Sequence, residues 1–311
     1  FLQQARNVSR EKPIVLYKSG RTAEGKASAK SHTASLAGDI DVIESAYRQA
    51  GVHTVDEVDL LVPVAEALTT CPIPDGPNVA VLTDGGGHAT VTADALERAG
   101  LETPELTDET QETLGELYEL SPNLTNPVDV MGASDHETMW YDTARHLMED
   151  PNVDALLIAG AALGYEECWD GREPDRDIGI ARKLTELVDE LDTPVVFNSM
   201  WEELGEAESL DHLAENGIPV YADVHTAVEA LRGLAAYSGH LANADEKSDF
   251  RLAAGEPAAD VVADAVAAGR KSLSEFETKQ LLEEYGAPVT AFELATTAGE
   301  AVDAAAAFDG P

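Results

Sequence analysis

Residues 78–88, Asn-Val-Ala-Val-Leu-Thr-Asp-Gly-Gly-Gly-His, decide the fold of this chain. Asn78 to Leu82 is a short apolar run with no polar face, as expected for a strand buried on both sides. Three glycines follow. Ala89 to Ala99 then has the spacing of an amphipathic helix, with Gly100 as its stop. A helix that leaves a buried strand at its carboxyl end opens a βαβ unit of a parallel sheet. Glycines let backbone approach a ligand closely, and a helix N-terminus offers free N–H groups and a partial positive charge. Gly85, Gly86 and Gly87 are therefore a candidate anion site, most naturally for phosphate. The stretch fits GxGxxG poorly and has no GKS/T, and a plain tight βα turn accounts for the glycines equally well.

The same alternation extends in both directions. Downstream, helices are expected at Met139–Met148, Ile178–Leu191, Ser209–Glu215 and Thr226–Tyr237, and strands at Ala155–Ala159, Pro194–Asn198 and Ile218–Tyr221. Upstream, Lys12–Tyr17 reads as a buried strand, Lys18–Gly38 as a polar loop, and Asp39–Ala50 as a helix stopped by Gly51. Val52–Leu68 holds a further short strand and helix. The Pro-rich stretch Cys71–Pro77 is the best first boundary. Asn243–Asp260 has linker composition; a helical segment, Ser274–Glu284, and an Ala-rich helix ending near Phe308 follow. Ligands of such sheets bind at the carboxyl ends of the strands, near helix N-termini.

Composition narrows the function classes. The chain has 311 residues, 44% hydrophobic, ample for a core in more than one domain. No apolar run is long enough to cross a membrane, and the N-terminus lacks a signal-peptide pattern. The only cysteines, Cys71 and Cys168, lie far apart with no CxxC spacing, so reduced thiols are expected. Asp and Glu number 59 against 20 Lys and Arg, a net charge of -39. Such self-repulsion is screened to a few ångströms at molar salt, which points to a salt-rich cytoplasm. Nucleic acid and anionic membrane are polyanions and are poor partners for this surface.

The polar loop holds a single histidine, His32, among Ser31, Thr33 and Ser35, whose hydroxyls can bond phosphate oxygens. Lys18, Arg21, Lys26 and Lys30 place four of the 20 basic residues within 13 positions. Imidazole attacks phosphorus, and the resulting charge needs such donors; an ordinary exposed loop histidine is the alternative. His136 and His146 do not have metal-ligand spacing, and His53, His212, His225 and His240 read as surface or cap residues. Glu166 and Glu167 follow a strand end but fit a solvated loop. No G-x-S-x-G is present, and no metal site is expected.

KSGRT (18–22), SHTASLAG (31–38), QAGV (49–52), VAVLTDGGGHATVTADALERAGLE (79–102), NPVD (126–129) and LSEFETKQLLEEYGAPVTAFELATTAGEAV (273–302) occur in one order along nearly the whole chain. In this the chain resembles the NDP-forming acyl-CoA synthetases, the ADP-forming acetate–CoA ligases of the succinyl-CoA synthetase superfamily. The resemblance implies an α/β fold with two flavodoxin-like parallel sheets covered by helices on both faces, followed by the start of an ATP-grasp domain. Residues 1–74 would be the C-terminal part of the phosphohistidine-bearing domain and 75–241 the second flavodoxin-like domain. Residues 242–268 would be a linker and 269–311 the opening of the ATP-grasp domain.

The resemblance places the phosphohistidine on His32, with Ser31, Thr33, Ser35 and the Gly85–Gly87 helix start holding phosphate. It implies an enzyme, an acid–thiol ligase, that uses coenzyme A as a substrate, ADP or ATP with Mg2+, and small-molecule partners, in a homo- or hetero-oligomer. Ala34 and His88 depart from the family's usual glycine and proline, and His88 is the rival candidate for phosphorylation. The CoA-binding domain, the glutamate that supports the histidine and the ATP-contacting residues of the family find no counterpart here, so this chain alone is not expected to run the full reaction. A regulatory synthetase-like region of a protein acetyltransferase and a non-catalytic assembly module are the alternatives.

Overall fold

The structure is a computed structural model that describes residues 1–22, 24–25, 40–118, 123–130, 137–163, 174–202, 207–243, 257–284 and 286–308. The chain divides into two compact units, Phe1–Asp245 and Glu246–Pro311.

The first unit contains two parallel sheets. In the smaller, β1 (Ile14–Tyr17) pairs with β2 (Val52–Val55) in the register Ile14 to Val52. Helices α1 (Leu2–Val8) and α2 (Ile40–Gln49) cover it through Ala5, Tyr47 and Ala50. After α3 (Leu61–Thr70) the chain enters the larger sheet. Its strands are β3 (Val79–Thr83), β4 (Val128–Asp129), β5 (Ala155–Gly160), β6 (Val195–Ser199) and β7 (Val220–Tyr221), in the spatial order β4-β3-β5-β6-β7. Every pairing is parallel. Counted within this sheet the order is 2-1-3-4-5, the flavodoxin-like doubly wound arrangement, which reverses direction between β3 and β5.

Side-chain alternation shows why the strands carry no polar face. Ala80, Leu82, Leu156, Ile158, Val195 and Phe197 face one core with helices α5 (Asp108–Leu117), α6 (Thr143–Met148), α7 (Pro174–Leu191) and α8 (Glu208–Glu215). Val79, Val81, Ala155, Leu157, Ala159 and Val196 face the other, with α3, α4 (Gly86–Ala99) and α9 (Val224–Asn243). Helix α3 packs on α9 through Val64, Ala67 and Leu68. The two sheets of the first unit therefore share part of one core, across the boundary that the Pro-rich stretch suggests.

Three elements of the first unit differ from the sequence reading. Helix α4 begins at Gly86, so two of the three glycines lie inside its first turn. Helix α5 and strand β4 carry no clear sequence signal. Strand β4 is only two residues long, and β3 is completed by a side chain. The Asn126 Oδ1 accepts from the Val81 N–H at 2.9 Å, and its Nδ2 donates to the carbonyls of Val79 at 2.9 Å and Pro104 at 3.1 Å.

In the second unit, α10 (Pro257–Ala267) lies within the segment read as linker. Helix α11 (Glu275–Glu284) is capped by Ser274, whose Oγ accepts from the Glu277 N–H at 3.3 Å while Glu277 Oε2 accepts from the Ser274 N–H at 2.8 Å. Arg270 holds the same carboxylate with two bonds of 2.7 Å. Helix α12 (Ala298–Ala307) starts with a capping box of Thr297 and Glu300. No helix among the described residues is long and apolar enough to cross a membrane.

Candidate functional site

The carboxyl end of β3 runs through Asp84 and Gly85 into α4, on the boundary with β5 where the sheet reverses direction. Gly85 is the N-cap with φ -172°, extended backbone open to any residue, and it has no side chain to cap the helix. The first turn carries no acid. The free N–H groups of a 14-residue helix thus open onto the crevice where such sheets bind ligands.

Among the described residues, packing does not account for the glycines in that turn. A Cβ on Gly86 would meet Asp129 Oδ2 at 3.4 Å, an ordinary contact, and one on Gly87 would meet no other described residue within 4 Å. Both sit in regular helix, where glycine costs about 1 kcal/mol relative to alanine. What they provide is an uncovered backbone.

Gly160 is different. It ends β5 with φ +123°, and a Cβ there would lie 2.4 Å from Asp84 Oδ1, 3.1 Å from His88 Nδ1 and 3.4 Å from Thr83 Oγ1. Asp84 Oδ1 in turn accepts from the Ala161 N–H at 3.2 Å, tying the ends of β3 and β5 together. The floor is completed by β6. The Met200 N–H donates to the Gly160 carbonyl at 3.1 Å, and Trp201 Nε1 donates to the Ala161 carbonyl at 3.1 Å. Sequence reasoning missed Asp84, Asp129 and Gly160, although a glycine at the end of the apolar run ALLIAG was a usable signal. His88 is half-buried against Gly160.

His32, Ser31, Thr33 and Ser35, together with Lys26 and Lys30, lie outside the described residues. The base of their loop is visible. Arg21 pairs with Glu44 of α2 and with Asp56 after β2, and Lys18 Nζ donates to the Ser19 carbonyl at 2.7 Å. Two members of the predicted cation cluster are thus engaged within the protein, and Arg21 anchors the loop's start. Cys71 is buried, and burial pushes its thiol up to about 12; Cys168 lies outside the described residues. Among the described residues no group of His, Cys, Asp and Glu fits a metal ion.

Fold and site define a flavodoxin-like α/β protein with a glycine-rich helix start at its switch point. Comparison with known proteins narrows this class. A family model for the succinyl-CoA ligase like flavodoxin domain matches residues 1–68, and one for an ATP-grasp domain matches 264–311. The chain is 34% identical over 235 residues to the alpha subunit of an ADP-forming acetate–CoA ligase II of Pyrococcus furiosus, covering 74% of this chain and 50% of that protein. It is 28% identical over its whole length to an ADP-forming acetate–CoA ligase I of Archaeoglobus fulgidus, covering 43% of that protein. Among solved structures, acetyl-coenzyme A synthetase 1 of Ca. Korarchaeum cryptofilum, in complex with phosphate and ADP, superposes with a TM-score of 0.67 at 26% identity. That match covers 81% of this chain and 52% of the other. The chain belongs to the NDP-forming acyl-CoA synthetase family. It spans about half the length of the curated relatives it matches.

Proposed function

We propose that the protein carrying this chain is an ADP-forming acyl-CoA synthetase that acts on acetate or another small carboxylic acid through a phosphohistidine at His32. Acyl-CoA and phosphate give acyl phosphate and free CoA. A ring nitrogen of His32 then attacks phosphorus, the bond to the acyl oxygen breaks, and the carboxylate leaves. The phosphoryl group passes from His32 to a terminal oxygen of ADP, giving ATP. The N–H groups at the start of α4, around Gly86 and Gly87, receive the phosphoryl oxygens, and Ser31, Thr33 and Ser35 bond them from the loop side.

The observation that supports this reading is the helix start itself: two glycines at the switch point that packing among the described residues does not require. It agrees with the relatives, which are named ADP-forming acetate–CoA ligases. The nucleotide, with its Mg2+, would be held by the ATP-grasp domain; among the described residues no group forms a metal site. Small-molecule partners, a homo- or hetero-oligomer and a cytoplasm of high salt complete the proposal.

Radiolabelled ATP with magnesium tests it on the full-length protein in high potassium chloride. Acid-labile, base-stable label is expected in wild type and absent in His32→Ala. Equal label in both moves the chemistry to another residue, His88 first. No label in either, with the protein folded, overturns the relay and favours a regulatory or assembly role.

A further inference from the structure

A second polar cavity lies away from this site, at the amino-terminal end of the small sheet. Its volume is about 140 Å³. It is lined by residues at the starts of β1 and β2 and by one face of α9. Four lining residues, Arg48, His53, Arg232 and His240, are basic, and none is acidic. In a chain with 59 acids and 20 Lys and Arg, this is a marked local reversal of sign.

The lining groups are held in place. Arg232 Nη2 donates to the Thr54 carbonyl at 3.2 Å, and Arg232 pairs with Glu229 one turn earlier on α9. His240 Nε2 lies 3.0 Å from Ser9 Oγ, and Ser9 donates to the Ala50 carbonyl at 2.9 Å. Gly51, at φ +71°, leaves room for the His240 ring, which a Cβ there would meet at 2.2 Å. His53 Nε2 is buried and has no hydrogen-bond partner among the described residues. A buried polar atom without a partner costs free energy unless something supplies one. Sequence reading took His53 and His240 as surface or cap residues; the fold brings them to one cavity.

We infer that this cavity binds one small oxyanion, inorganic phosphate or the phosphoryl end of a larger molecule, between Arg48, His53 and Arg232. The volume suits a single tetrahedral group, and guanidinium and imidazole N–H groups are its natural donors. The anion would join β2 to α9 and so lock the small sheet onto the larger. It would also draw a proton onto His53. Within the fold, burial first, and then Arg232, hold that imidazole down at about 4, with Asp56 opposing. The charged and titratable groups around it are Arg232 with its partner Glu229, Tyr237 and His240 from α9, Arg48 from the end of α2, and Asp56 beyond β2.

The test follows the His53 ring by NMR in full-length protein labelled at histidine Cε1, at fixed potassium chloride. The resonance is assigned with His53→Gln, and separate titrations use inorganic phosphate and ADP. Phosphate should raise the His53 midpoint by a unit or more, in wild type and in His32→Ala alike, and Arg232→Gln should abolish the rise. A rise with ADP alone would assign the cavity to the phosphoryl end of a nucleotide. No rise with either anion overturns the proposal, and so does a rise lost in His32→Ala, which would trace it to the catalytic phosphate. Because His32→Ala is one arm, failure of this site is distinguishable from failure of the phosphohistidine reading.

Discussion

Alanine at Gly160 and at Gly87 should have opposite effects on folding. At Gly160 the new methyl would stand 2.4 Å from Asp84 Oδ1, on a backbone at φ +123°. Holding a non-glycine residue in so sparsely populated a region costs about 1–3 kcal/mol. Pushing the Asp84 carboxylate aside also strips the Ala161 N–H of its 3.2 Å bond, worth about 1.5–3 kcal/mol for a charged acceptor. Together Gly160→Ala should lose about 3–5 kcal/mol. At Gly87 the methyl meets no other described residue within 4 Å, and alanine in a regular helix should gain about 0.5–1 kcal/mol. Urea unfolding of the full-length variants, followed by the fluorescence of the buried Trp140 and Trp201, measures both. If Gly160→Ala lies within about 1 kcal/mol of wild type, the crowding and strain reasoning is wrong. The same pair separates folding from function. Gly87→Ala should remain folded yet transfer phosphoryl groups poorly, because on the proposed function the phosphoryl group approaches that backbone. Full activity in Gly87→Ala would refute the helix-start site.

Three further outcomes are expected. Asn126→Ala removes three bonds of 2.9–3.1 Å at the edge of β3 and should cost about 2–4 kcal/mol by urea titration; a loss below about 1 kcal/mol would deny the side chain its strand-like role. His53 is held at about 4 in the fold against an ordinary value of 6.5, so the unfolded chain takes up its proton first as pH falls. Without added phosphate, stability should be unaffected above about pH 6.5 and drop by about 3 kcal/mol towards pH 4. His53→Gln should remove this component, and a variant with the wild-type pH profile would contradict the assignment. Finally, the net charge of -39 predicts that the unfolding midpoint rises between 0.1 M and 2 M potassium chloride, as the screening length falls from about 10 Å to about 2–3 Å; a flat response would show that the acids are already compensated within the fold.

Much of this architecture was legible because its signals are local. The buried strands VAVLT, ALLIAG and VVFNS announce themselves by hydrophobicity, and α4 by its stop at Gly100, which takes a left-handed φ of +75°. The motif around His32 and the glycines of 85–87 pointed to phosphate chemistry in the same way, from residue types close together in the chain. What sequence alone did not supply were features that exist only once distant segments meet. Strand β4 has too few residues to show a period, and Asn126 becomes part of the sheet only against β3. The order β4-β3-β5-β6-β7 puts the helix start at the point of reversal, and pattern along the chain does not state that order. Gly160 became necessary because Asp84, just past β3, and His88, in α4, arrive beside it. His53 and His240 look like ordinary polar residues, 187 positions apart, until α9 docks on the small sheet. Hydrophobic period and capping are properties of neighbouring residues, so the sequence determines which elements form. Crowding, burial and electrostatic surroundings depend on which elements touch, and only the tertiary structure decided those.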